Sequence, residues 1–377
     1  MSTPTTTPLP PTHTALVQET YAAPLIAKTL PTPLPTPGSA IIKILHAPIM
    51  PYLRDVYNGT RAYAYPTPLV TGTSAIGRVA ATGPDSVLLK PHDLVYVDGI
   101  VRGRDDPGAI IIMGIAEGMT EASRKLMRGE WRDATFAEYV KAPLENVHVL
   151  DEARLCGSPA EGGLGYSTEQ LGWMLQALVP YGGLRSIGVQ AGETVVVAPA
   201  TGGFGSAAVV VALAMGARVI AMGRNGEALE GLKRELGGRV ETVRMTGDLG
   251  EEMAALKKFG RIDAFFDISP AEAKGSTHFR AAILSLRPEG RVSLMGGFLE
   301  DVPIPHRFVM RFDITLRGKW MYSRADNVAF ISLLNTGILD VRSIVKVRGT
   351  FKLEEWEKAF DLAAKSGRLG ESVMFNP

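Results

Sequence analysis

Residues 194–225 read TVVVAPATGGFGSAAVVVALAMGARVIAMGRN, and the fold follows from them. A buried run (194–198) meets a Gly-rich turn (200–205). A small-residue apolar helix is expected over 206–215, and a second apolar run over 218–222. Strand, tight turn, helix and strand in this order form the first half of a dinucleotide-binding fold. Ala200 stands where the fingerprint often has its first glycine. Gly202 lets a pyrophosphate approach the backbone, and Gly205 lets the helix pack closely on the strand. The turn Ala200, Thr201, Gly202, Gly203, Phe204 and Gly205 is therefore the expected phosphate cradle, with the helix N-terminus aimed at the anion.

Working outward, strand and helix signals alternate. Residues 262–266 read as a buried strand and 279–286 as a helix stopped by Pro288 and Gly290. Residues 292–295 and 314–316 read as further strands. Such alternation predicts a parallel sheet with helices on both faces, six strands within residues 165–325. Upstream, short apolar runs at 41–45, 76–80, 94–97, 109–112 and 136–140 are separated by Gly, Pro and Asp, the rhythm of an irregular β-rich domain. A helix over 353–365 and a strand over 372–375 close the chain. The expected division is a Thr/Pro-rich disordered tail (1–13), a β-rich domain (14–164), a nucleotide domain (165–339) and a return to the first domain (340–377).

The chain has 377 residues, 46% of them hydrophobic, with a net charge of +1 and one cysteine, Cys156. Two ordinary domains fit that length. No basic stripe points to nucleic acid or an anionic membrane as partner. The longest apolar run ends at Arg218 and is too short to span a bilayer. The amino terminus lacks the basic start and apolar core of a signal peptide. One cysteine forms no internal disulfide, which fits a reducing, cytoplasmic setting.

Several further motifs resemble the medium-chain dehydrogenase/reductase superfamily. Pro91-His92-Asp93-Leu94-Val95 resembles its "pGDrV" turn, residues 135–140 (TFAEYV) its "gtfAEyv" strand, and residues 72–79 its "GhExaGxV" segment. The resemblance covers nearly the whole chain after the tail. It implies an α/β protein with an N-terminal GroES-like β-rich domain and a Rossmann doubly wound sheet, the cofactor lying between domains. It also implies a small-molecule substrate and a homodimer joined through the nucleotide domains.

Zinc-dependent members of that family place His and Glu where this chain has Thr73 and Ser74, and a cysteine near residues 47–49, where this chain has none. Their structural zinc needs four cysteines. The six histidines show no metal-ligand spacing. No metal site is therefore expected. Without a Lewis acid, developing charge falls to hydrogen-bond donors, and a conjugated acceptor spreads that charge. The stretch 48–55 (PIMPYLRD) resembles the "NPxD" of quinone reductases and, more closely, the "DPYMR" of alkenal double-bond reductases. Met50 replaces the Asp of the latter.

That resemblance makes Tyr52 the candidate proton or oxyanion donor, the alternative being a packing residue. Tyr57, Tyr63 and Tyr65 on the same stretch are further candidates or a hydrophobic substrate wall. Met50, Tyr57, Tyr65, Thr73 and Phe298 are the expected substrate-binding residues. Cofactor choice turns on the end of the second strand, Gly223-Arg224-Asn225. An NAD enzyme carries an acid there for the ribose 2′-OH, whereas Arg224 meets a 2′-phosphate, so NADP(H) is expected. The turns Ile268-Ser269 and Gly296-Gly297 follow predicted parallel strands and are expected at the ribose and nicotinamide.

The function this implies is zinc-independent, NADPH-dependent reduction of an enone, quinone or enoyl C=C. The alternatives are a zinc-free NADP-dependent alcohol dehydrogenase or ketone reductase and a non-catalytic nucleotide-binding protein.

Overall fold

The computed structural model describes residues 8–377. The described residues form two compact units, one made of those up to 175 with 340–367 and 371–377, the other of 176–339 and 368–370.

The first unit is β-rich. Its amino-terminal strands are β1 (Thr12–Gln18), β2 (Ile26–Pro31), β3 (Ser39–Ile49), β4 (Leu69–Val70), β5 (Ala75–Thr82), β6 (Leu94–Val97), β7 (Ile100–Arg102), β8 (Ile110–Ile112), β9 (Tyr139–Pro143) and β10 (Val147–Val149). β2, β1 and β4 form a small antiparallel sheet, and β7 and β8 a hairpin. β3 is the longest strand and has alternating contacts on both edges, with β5 and β9. Its residues are almost all buried, with Lys43 the exposed exception.

Two sequence expectations change here. Thr12 and His13, placed in the disordered tail, begin β1 and pair with Pro31 and Leu30; residues 1–7 lie outside the described residues. Residues 165–175 belong to the first unit, because the short helix Thr168–Leu171 packs on β3 and β5. His46 Nε2 on β3 meets Thr168 Oγ1 at 3.0 Å. His92 adopts φ +73° in the turn where the resembled motif has glycine. Histidine is among the residues that tolerate this left-handed region, so the turn survives the replacement.

The second unit carries β11 (Thr194–Ala198), β12 (Arg218–Gly223), β13 (Val240–Arg244), β14 (Ala264–Asp267), β15 (Arg291–Leu294) and β16 (Thr315–Gly318). They form one parallel six-stranded sheet in the order β13-β12-β11-β14-β15-β16. The order reverses between β11 and β14, the switch point where doubly wound sheets open a crevice at the strand carboxyl ends. β11 is buried along its length, as a central parallel strand covered on both faces must be. One face of the sheet carries a cluster that includes Val196, Ile220, Leu256, Phe265, Phe279, Ile283 and Val292. β13, Val-Glu-Thr-Val-Arg, is too polar to read as a buried strand; it is an edge strand, and Glu241 pairs with Lys233 at 2.7 Å.

The last strands, β17 (Lys346–Phe351) and β18 (Glu371–Phe375), pair in parallel, and β18 pairs with β3 of the first unit. The helix between them, Trp356–Lys365, packs Phe360 among Phe136 and Phe375.

Candidate functional site

The fingerprint turn is built by sterics. The helix Gly203–Ala214 starts inside the glycine run, with Gly202 as its N-cap. A Cβ on Gly205 would lie 1.9 Å from the Pro199 carbonyl oxygen, so only glycine fits that crossing. A Cβ on Gly202 would meet nothing within 4 Å, so its missing side chain leaves open space rather than packing room. No side chain caps the helix and its first turn holds no acid. The amides there face an opening suited to an anion. Ala200 N–H donates to the Met222 carbonyl at 2.7 Å and ties the turn to β12.

Arg224 follows β12 directly and is exposed. Asn225 caps the next helix, its Oδ1 accepting from Ala228 N at 3.0 Å. Gly223 is closely flanked by Thr201 and Leu229. A residue missed in the sequence lies alongside: Arg244 ends β13 in register with Gly223 and is also exposed. The signal was present, since an arginine closes the run that follows the Gly226–Leu236 helix, but reading it required recognising β13.

The turns after β14 and β15 are tied together. Asp267, only 2% exposed, accepts from Ser269 Oγ at 2.5 Å and from Ser269 N at 3.2 Å. Gly297 N–H donates to the Ser269 carbonyl at 2.7 Å. A Cβ on Gly296 would lie 2.4 Å from Asp267 Oδ2, whereas Gly297 faces open space. Ser269 was expected in the turn near the adenosine or its ribose. Its hydroxyl is held between Asp267 and His278 Nε2, the latter at 2.8 Å, so Ser269 frames the turn. Ile268 is half-buried, and its N–H joins Ala198 at 2.9 Å. The Phe298 ring packs on Phe279 and lines a cavity of about 490 Å³ within this unit.

In the first unit the tyrosines separate into two kinds. Tyr57 is buried; its hydroxyl donates to the Gly114 carbonyl at 3.0 Å and accepts from Gly72 N–H at 2.9 Å. Tyr65 is buried too, donating to Gln18 Oε1 at 2.8 Å. Both were expected at the substrate, and both instead hold loops together, because a buried phenol must use its hydroxyl on a partner. Tyr52 is half-buried. Its hydroxyl points to Met50 Sδ at 3.2 Å, a weak acceptor, and the Arg61 guanidinium lies 4.6 Å from its ring centroid. Burial, and then the neighbouring Tyr63, push the Tyr52 phenol up, while Arg61 acts the other way. It therefore keeps its proton at neutral pH, and its O–H is available as a hydrogen-bond donor. Met50 itself is 4% exposed.

Thr73 and Ser74 are fully buried, and neither side-chain hydroxyl has a partner. An unmet buried hydroxyl costs roughly 1–3 kcal/mol. Among the described residues no group of three or more His, Cys, Asp or Glu converges. Hydroxyls at 73 and 74, with His46 directed to Thr168, are a donor set that does not fit zinc.

Comparison with known proteins agrees with this architecture. Residues 203–336 match the family described as zinc-binding dehydrogenase. The chain is 26% identical over 377 residues to an L-threonine 3-dehydrogenase of Streptomyces avermitilis, covering 96% of this chain and 98% of that one. Among solved structures it resembles a short chain alcohol dehydrogenase from E. coli CFT073 complexed with NADH (TM-score 0.74, 17% identity, 98% of this chain and 100% of that one). It also resembles a mycobacterial protein complexed with NADPH (TM-score 0.67, 20% identity, 97% and 100% covered). The family match lies within the nucleotide unit, and the solved structures share the fold of the chain.

Proposed function

We propose that the protein is a zinc-independent, NADP(H)-dependent oxidoreductase that reduces a conjugated acceptor such as an enone, quinone or enoyl C=C. The observation that carries the cofactor choice is the pair Arg224 and Arg244 at the ends of adjacent strands, with no acid at the end of β12. Both guanidiniums are available to a 2′-phosphate, the one group that distinguishes NADPH from NADH. Two complexes among the resembled structures, one with NADH and one with NADPH, fit a nicotinamide nucleotide in general.

The bound nicotinamide would supply the hydride. The chain's own residues bind and orient. Gly202 leaves room for the pyrophosphate, and the first turn of the Gly203–Ala214 helix offers it amides. The Gly296-Gly297 turn is the proposed seat of the nicotinamide ring. The Tyr52 O–H is the proposed donor to the oxygen on which charge develops, the role zinc has in its relatives. Thr73 and Ser74 are unmet hydroxyls at the position of the missing ligands and are proposed to face the same oxygen.

A second reading, a zinc-free alcohol dehydrogenase or ketone reductase, is favoured by the threonine dehydrogenase likeness along the whole chain. NADPH oxidation with a cyclic enone and with 2-butanone separates the two. Turnover of the enone alone supports the first reading, and turnover of the ketone alone overturns it in favour of the second. A homodimer is proposed through β16, which among the described residues pairs only with β15 and exposes most of its residues. Light scattering tests it. No described helix is long and apolar enough to cross a membrane.

A further inference from the structure

His278 has no role in the readings above, yet it is fully buried at the start of the helix His278–Leu284. Its two ring nitrogens sit in a defined chain. Nε2 lies 2.8 Å from Ser269 Oγ, and Nδ1 lies 2.8 Å from Ser276 Oγ. Ser269 Oγ in turn lies 2.5 Å from Asp267 Oδ1. The hydrogens can be assigned from chemistry. The Ser269 hydroxyl has one hydrogen, and a carboxylate takes it. Ser269 Oγ therefore accepts from His278, so Nε2 carries the proton. Burial lowers the imidazole to about 4; the ring is neutral, Nδ1 is bare, and it accepts from the Ser276 hydroxyl. Every donor in the chain points toward Asp267.

Asp267 is the unusual member. Among the described residues no cation pairs with it, and burial raises its carboxyl to about 6, opposed by hydrogen bonds from the Ser269 hydroxyl, Ser269 N–H and Gly296 N–H. Those donors come from the two turns at the ends of β14 and β15. An ionised, unpaired carboxylate inside the unit disfavours the fold at neutral pH. Its compensation is the shape it gives to those turns. The hydrogen bond from Gly297 N–H to the Ser269 carbonyl closes the frame.

We propose that His278 is a positioning residue for the cofactor: through Ser269 and Asp267 it fixes the Gly296-Gly297 turn. This rests on the proposed function, which seats the nicotinamide at that turn. The role is selective. His278 touches no ligand; it aligns the Ser269 hydroxyl so that the carboxylate stays ionised and keeps the Gly296 amide in place. Protonation of Asp267 removes an acceptor and loosens the turn.

Few titratable groups face this chain. β11 and β15 bring Ala198 and Leu294 beside Asp267. On the neighbouring helix Leu249–Lys257, Glu252 accepts from Thr246 N, Gly247 N and Thr277 Oγ1, one residue before His278. Asp267 is thus the group expected to titrate the turn near neutral pH.

The test is calorimetric titration of the full chain with NAD⁺ and NADP⁺ from about pH 8 to about pH 5. NAD⁺ is the deciding ligand, because the 2′-phosphate of NADP⁺ itself titrates near about 6. Wild-type affinity for NAD⁺ is expected to fall as pH drops through about 6. One unit below the midpoint the loss is about tenfold. Asp267→Asn should show no such midpoint. Ser269→Ala and His278→Leu remove support for the carboxylate and should move the midpoint upward. His278→Gln, whose amide keeps an N–H near the Nε2 position, should return it toward wild type. Circular dichroism checks folding, and the Ser269→Ala and His278→Gln pair carries the test if His278→Leu does not fold. An unchanged midpoint in Ser269→Ala, or a wild-type profile in Asp267→Asn, overturns the proposal alone. A wild type that binds neither nucleotide overturns the proposed function and this inference with it.

Discussion

The arginine pair gives the sharpest quantitative expectation. Neighbouring strands in a sheet are about 4.8 Å apart, and Arg244 is in register with Gly223, the residue before Arg224. Two guanidiniums starting that close can reach one phosphate. A charge-assisted hydrogen bond contributes about 1.5–3 kcal/mol, and the lower end applies to exposed groups such as these. Each arginine is then worth about tenfold in NADPH affinity, and the pair about a hundredfold if they act independently. Arg224→Ala, Arg244→Ala and the double variant should be titrated with NADPH and NADH by nicotinamide fluorescence. The expectation is a loss confined to NADPH, with NADH nearly unchanged in all three. The NADPH preference should also shrink in about 0.5 M salt, where screening acts within a few ångström. Arg224→Asp should go further and favour NADH, because a carboxylate repels the phosphate and accepts from the 2′-OH. Equal dissociation constants for NADPH and NADH in the wild type would refute the reasoning. An Arg244→Ala variant with full NADPH preference would remove Arg244 and leave Arg224 alone.

Other expectations follow from single contacts. Tyr52→Phe should lower kcat by about 10²–10⁴ with the NADPH dissociation constant unchanged; full turnover would make Tyr52 a packing residue. Tyr57→Phe should instead lower stability by about 1–3 kcal/mol in a denaturant titration, because the Gly72 amide and the Gly114 carbonyl both lose a partner. Gly205→Ala should destabilise the protein by about 1–3 kcal/mol or more, since the new methyl meets the Pro199 carbonyl. Gly202→Ala should melt like the wild type yet bind NADPH more weakly, its methyl standing in space the fold leaves empty. Metal analysis should find less than one zinc per chain, and a chelator should leave activity intact; tightly held zinc would falsify the reading of Thr73 and Ser74.

Much of the nucleotide unit was legible in the sequence, and the reason is geometric. Gly205 is forced by a backbone crossing, and buried parallel strands read as apolar runs because both faces are covered. The boundaries of β14, β15 and β16 differ from expectation by a residue or two, as strand ends commonly do. β13 escaped notice because only one of its edges is paired, and with it Arg244 was lost. The chain from Asp267 to His278 was illegible for another reason. Four ordinary polar residues within a short span signal nothing until a fold buries them and aligns their hydrogens.

The same contrast explains why the catalytic side was harder to read. Nucleotide binding relies on backbone shape, which leaves glycines at fixed spacings. A phenol, by comparison, serves equally as a donor to substrate or as a buried tie between loops, and the residue type is the same in both uses. Tyr57 and Tyr65 became ties because their partners, Gly72, Gly114 and Gln18, are brought to them from distant parts of the chain. Tyr52 differs in what its hydroxyl meets. Thioether sulfur is a weak acceptor, so turning from Met50 Sδ to a substrate oxygen exchanges a poor hydrogen bond for a strong one. The Arg61 guanidinium on its ring is placed to favour charge that develops nearby. Of the two neighbouring phenols, Tyr52 and Tyr63, the one stacked with Arg61 is therefore the better candidate for a donor whose bond strengthens as the reaction proceeds.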